Sequence, residues 1–234
     1  MTNEEIIERL KPLARRHTPG VEAHAAIESV AVKDKVAYVT DGRVAIAVPL
    51  EGDVADSVPE NYPMGGIQDY VGKVDKTKRW YRMDPERTKA LLQTVLDKTK
   101  ASHIEAEASN RERYTHTRCP CCHELVYWDT WNDELVEDVE ENLPDEPRDI
   151  RVPMWLQMGD KSILVNFGHV YMILKAMLDD LDDVKDVMVA GASSIDGRSL
   201  DVLLLRHGPY KAVLCCLRGD DAISDTMKCT EVSE

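Results

Sequence analysis

Phenylalanine is almost missing from this chain: Phe167 is the only one in 234 residues, beside eight Tyr and four Trp. The interior must therefore rely on Val, Ile, Leu and Met. Long apolar runs are missing as well. No stretch approaches the ~20 residues that span a bilayer, and the opening MTNEEIIERL is acidic, unlike a secretory signal. A soluble, cytoplasmic protein without a membrane partner is expected. The six Cys include the adjacent pairs Cys121-Cys122 and Cys215-Cys216, which do not read as a secreted disulfide framework. Positive charge is in deficit, with 29 Lys and Arg against 43 Asp and Glu and a net charge of −14. That excludes a nucleic-acid binder coated all over with cations, but not one that keeps them on one surface. No Walker loop, HExxH, kinase signature or Ser/His/Asp order is present, and Gly65-Gly66 reads as a turn. An enzyme is the least supported class.

The chain that remains has an ordinary globular composition, 43% hydrophobic and 31% charged, and is long enough for one large or two modest domains. Thr2 and Glu5 have capping-box spacing, and Ile6, Ile7, Leu10, Leu13 and Ala14 share one face, so a helix is expected from Thr2 to about Arg16. Pro12 should end or kink it near Lys11. Residues Ile27 to Leu50 read as strand, turn, strand, turn, strand. Asp34-Lys35 and Asp41-Gly42 are the turns, and Val44, Ile46 and Val48 alternate with Ala45 and Ala47. A loop dense in turn formers is expected from Glu51 to Lys78. A second helix begins at Asp84 as N-cap, with Pro85 in its first turn and Leu91, Leu92, Val95 and Leu96 as its apolar stripe. His103–Ala108 and Leu125–Trp128 are expected as strands.

From Asp129 to Asp149 ten acidic residues face one basic one, Arg148, and the segment reads as a solvated linker. Beyond it, Val152–Met158 and Ser162–Asn166 read as strands around a Gly159-Asp160 turn. Val170, Tyr171, Ile173, Leu174, Met177, Leu178 and Leu181 mark a third helix. Val187–Ala190, Asp201–Arg206 and Lys211–Leu217 complete the strands, and the chain from Gly219 reads as a polar, mobile tail. Helix followed by antiparallel strands thus recurs about three times at about 70 residues, which predicts an α+β fold of repeated modules.

The words VAYVTDGRVAIAV, the Asn61-Tyr62-Pro63 step, and VNFGHVYMILKAM followed by DVLLLRHGPYKAVLCCL resemble passages of the bacterial and phage DNA polymerase sliding-clamp family, the β subunit. They cover about half the chain. The family's closing strand usually ends in Met-Pro, and Cys215-Cys216 stands there in this sequence. The resemblance implies a clamp-like domain over 1–128, the acidic linker over 129–149, a second, partial clamp-like domain over 150–218 and the tail over 219–234. It implies helices inside a ring and sheets outside, duplex DNA and replication proteins as partners, a homo-oligomer, and an outer apolar groove for partner peptides. Phosphate contacts without sequence readout then fall to Arg9, Arg15, Arg16, Arg87, Lys89, Lys98 and Lys100. The third helix runs instead into Asp179, Asp180, Asp182 and Asp183, which would repel phosphate. The rival reading is an acidic interaction module, or an inhibitor of a nucleic-acid enzyme, using Asp129–Asp149 and Asp179–Asp183 as its face.

THTRCPCCHELVYW carries the most specific chemistry in the chain. Cys119 and Cys122 have C-P-x-C spacing, a tight turn in which two thiolates can meet one tetrahedral cation, and His116 and His123 lie close enough to complete a structural zinc site. Cys121 is an alternative ligand. A second C-x-x-C is missing, so inert thiols and a redox pair stay open beside the metal.

Overall fold

A computed structural model describes residues 2–14, 27–118, 125–132, 134–136, 145–193, 201–217 and 223–232. The α+β class expected from the sequence is what it shows. Helix α1 (Asn3–Leu10) begins with the expected capping box: the Thr2 hydroxyl accepts from Glu5 N at 3.2 Å, and the Glu5 carboxylate accepts from Thr2 N. Lys11–Leu13 tightens into a 3-10 turn at Pro12, where a missing N–H and a fixed φ stop the α-helix. Ile6, Leu10 and Leu13 are buried, each burial worth roughly 1.5–3 kcal/mol.

The meander forms as read: β1 (Ala31–Lys33), β2 (Val36–Thr40) and β3 (Val44–Pro49). Asp34 and Lys35 adopt φ of 51° and 61°, and Gly42 adopts 89°, as tight reversals require. The size alternation of β3 sorts residues between two cores. Val44, Ile46 and Val48 pack into the larger cluster on one face, and Ala45 and Ala47 into the smaller cluster on the other.

The expected 51–78 loop contains a helix instead, α2 (Met64–Lys76). Met64, Ile67, Val71 and Val74 recur at helical spacing and bury against the sheet. Three glycines in thirteen residues and an N-cap at Pro63 with no side-chain bond concealed it. After the short β4 (Tyr81–Arg82) comes α3 (Pro85–Arg113). Its start is as read, with the Asp84 carboxylate accepting from Arg87 N at 2.7 Å. Its 29 residues make it about 43 Å long. It runs through 103–108, where a strand was expected; Ala101, Glu105, Ala106, Glu107 and Ala108 are good helix formers. The first half packs with Leu92 and Val95, whereas beyond Thr99 nearly every residue faces solvent. That distal half carries a separate antiparallel sheet, β5 (Tyr114–Arg118), β6 (Leu125–Asp129) and β7 (Glu134–Val136).

Strands β8 (Pro153–Met158) and β9 (Lys161–Asn166) form the expected hairpin, with Gly159 at φ 63°. Helix α4 (Phe167–Met177) follows directly and buries ten of its eleven residues, Lys175 being the exception. A helix apolar all round belongs in an interior. After a 3-10 turn at Leu181–Asp186 come β10 (Met188–Ser193), β11 (Asp201–His207) and β12 (Tyr210–Cys215). The supposed tail contributes β13 (Thr226–Lys228), parallel to β8, and β14 (Thr230–Glu231), antiparallel to β4.

The large sheet has the order β1-β2-β3-β12-β11-β10-β4-β14 and is antiparallel throughout. Because β3 pairs with β12, strands from both ends of the chain share it. Among the described residues no threefold repeat of separate modules is visible. Helix α2 covers one face; α1, α4, the base of α3 and the β8/β9/β13 sheet cover the other. Among the described residues no helix is long and apolar enough to cross a membrane.

Candidate partner-binding face

The TDG turn is held by its own side chains. Thr40 Oγ1 donates to Val44 O at 2.6 Å and accepts from Gly42 N at 3.0 Å. Asp41 Oδ1 accepts from Arg43 N and Val44 N, both at 2.8 Å. Arg148 reinforces the turn from behind, donating to Ala14 O at 3.2 Å and to Pro12 O, and lying 2.8 Å from Glu146 and 3.7 Å from Asp41. The outer side of this fixed turn forms one wall of an apolar groove of about 290 Å³. Thr40, Arg43 and Val44 stand on that wall; Pro63 at the N-cap of α2 and Ile67 and Tyr70 within it face them, and Val213 and Cys215 close the floor. Cys215 is exposed at the strand end, while Cys216 is buried.

A larger cleft of about 990 Å³ lies between α1 and α4. Glu4, Glu5, Glu8 and Asp179 line it against Arg9 and Lys175, so carboxylates outnumber cations on this face. Of the residues predicted to meet DNA, Arg9 is paired with Asp179, and Arg87 with Asp225, also donating to Thr226 O at 2.8 Å. Lys89 lies 2.8 Å from Asp182. The hydrogen bond from Arg9 lowers the Asp179 pKa; that from Lys89 lowers the Asp182 pKa, and Asp182 in turn raises that of Lys89. The acidic run that follows the third helix thus serves partly to neutralise the cations of its neighbours. Lys98 is exposed and donates to Arg151 O at 3.4 Å, and Lys100 is exposed on the same helix. Arg15 and Arg16 lie outside the described residues.

In the distal sheet Asp129 is buried and accepts from Arg113 Nε and Nη2 at 3.0 and 2.7 Å and from Trp131 N at 2.9 Å. These bonds, the one from Arg113 first, lower its pKa to about 2. Arg113 also stacks on Tyr114 and Trp131, at 4.8 and 5.2 Å. This cluster anchors the hairpin whose last paired residues are Arg118 and Leu125. His116 stands in β5 opposite Tyr127, while Cys119, Cys122 and His123 fall in the connection outside the described residues.

Residues 27 and 40–70 of the groove were not singled out as a site from sequence, because the helix forming its second wall was read as loop. The period Ile67, Val71, Val74 was the available signal. Compared with models of known protein families, with curated proteins and with solved structures, the chain matches none.

Proposed function

We propose that the chain is a scaffold and not an enzyme, a sliding-clamp-like factor of DNA replication that holds duplex DNA without reading its sequence and docks partner peptides. The observation that supports this most is the groove. Residues that carry the clamp resemblance, Thr40, Gly42, Arg43 and Val44 and the strand ending at Cys215, line an apolar slot between a rigid turn and a helix. Such a slot accepts a short apolar segment, and the exposed Arg43 at its rim suits a carboxylate beside that segment. The rival reading, an acidic interaction module, loses part of its face because Asp179 and Asp182 are held by Arg9 and Lys89.

Gly66 provides the test. A Cβ there meets nothing within 4 Å, and the residue lines the groove on the outer side of α2. The substitution Gly66→Phe fills the slot while removing a helix-interior glycine. Peptides selected from a displayed random library should bind the wild type and fail on Gly66→Phe. Selected peptides that bind both proteins equally, or a selection yielding none, would remove the groove from the account.

For the hairpin tip we propose a structural zinc held by Cys119 and Cys122 with His116 and His123. The pairing of Arg118 with Leu125 limits the connection to six residues, and a metal there would pin a short loop.

A further inference from the structure

A run of cations lies at the far end of α2. Residues 73–82, KVDKTKRWYR, hold five basic side chains and one acidic one in a chain of net charge −14. Lys73 and Lys76 occupy the last turn of α2, where cations complement the helix dipole. Lys78, Arg79 and Arg82 continue beyond the helix and are exposed. The sheet register extends the group. Arg82 pairs with Met188, Met188 with Arg206, and Arg206 with Lys211, so one row crosses β4, β10, β11 and β12. Directly paired residues point to the same face, and Met188 packs into the cluster beneath α2, which puts the row on the α2 side.

At the usual strand spacing of about 4.8 Å, Arg206 lies about 10 Å from Arg82 and Lys211 about 15 Å. Arg206 is held over the buried Trp80, 4.7 Å from its ring centre, and Lys211 is 2.6 Å from Asp75. Among the described residues Lys76, Lys78, Arg79 and Arg82 form no ion pair. Helix-dipole complementation explains Lys73 and Lys76 but leaves Lys78, Arg79, Arg82 and the held Arg206 unexplained. The row carries cationic donors and no acceptors, and its length suits a polyanion carrying a charge every ~1.7 Å of axis. The carboxylate-lined cleft between α1 and α4 would turn the same polyanion away.

We propose that the phosphate backbone of duplex DNA lies across this strip, on Lys76, Lys78, Arg79, Arg82 and Arg206, and not on α1 and α3. The inference rests on the clamp-like reading for the identity of the polyanion and departs from it in the face used. The test is fluorescence anisotropy of a labelled duplex of about 20 bp and arbitrary sequence, titrated at several salt concentrations from about 50 mM upward. Wild type is compared with K76E/K78E/R79E and with K98E/K100E; all five positions are exposed, and circular dichroism verifies the fold. The expected result is salt-dependent wild-type binding that K98E/K100E retains. In K76E/K78E/R79E, binding is lost or its log K against log[salt] slope becomes shallower by about 3. Wild-type behaviour of K76E/K78E/R79E together with loss in K98E/K100E would overturn the strip and leave the clamp reading standing. A folded wild type that binds no duplex at about 50 mM salt would overturn both.

Discussion

Gly168, the second residue of α4, is where the packing of the core can be tested most sharply. A Cβ built there would lie 2.3 Å from Pro147 O and 2.5 Å from Ile150 O. Both obstacles are backbone carbonyls of the segment that Arg148 ties to the end of α1, so neither can rotate away as a side-chain tip would. Gly168→Ala gains about 1 kcal/mol in helix propensity. Against that, forcing an extra methyl into a filled site costs about 1–3 kcal/mol, and rigid neighbours set the upper end. A net loss of about 2 kcal/mol is expected, which at about 2–4 °C per kcal/mol lowers Tm by about 4–8 °C. Urea unfolding followed by circular dichroism measures it. Gly72→Ala, in α2 with nothing within 4 Å, is the matched control and should gain about 0.5–1 kcal/mol. Gly191→Ala should cost little, since its nearest obstacle at 2.5 Å is the flexible Cδ1 of Ile163. Gly168→Ala as stable as the wild type would mean that the 145–152 segment is not seated on α4.

Other expectations concern single side chains. Arg148→Met removes a largely buried guanidinium between Glu146, Asp41 and the Pro12 and Ala14 carbonyls, and should lower unfolding free energy by about 3 kcal/mol in the same assay. His169 is buried, with Nδ1 3.2 Å from the Asn166 amide, and burial pushes its pKa below the ordinary ~6.5. The unfolded chain therefore binds the proton more readily, so Tm should fall as pH drops below about 6.5, and His169→Gln should flatten that slope. A slope unchanged in the variant would assign it to other groups. Purified protein should carry stoichiometric zinc by elemental analysis, and Cys122→Ser should lose it; metal-free wild type would dismiss the site.

Local rules made the element ends legible. The Thr2–Glu5 box, the Asp41-Gly42 turn and the Asp84-Pro85 start each act within four residues, and each appears where the sequence put it. The alternation of Val and Ala on β3 even anticipated two different faces, although both proved buried. Helix α2 was concealed because Gly65, Gly66 and Gly72 signal turns locally, while burial of Ile67, Val71 and Val74 stabilises the helix through tertiary contact. The pairing of β3 with β12 and of β14 with β4 joins residues far apart in the chain, which no local pattern encodes. The pairing of charges is hidden for the same reason. Arg9 and Asp179 are 170 residues apart in sequence, and only the fold shows that they neutralise each other. The 73–82 strip was visible as composition but acquires direction only when Arg206 and Lys211 join it across the sheet.

Partners are expected to meet the α2 face of the sheet. Hydrogen–deuterium exchange of the protein alone and with a duplex of about 20 bp locates contact without any substitution. The expected result is slowed exchange in peptides covering 64–82 and 201–217 and none in 3–13 or 85–113. Slowing confined to α1 and α3 would contradict it.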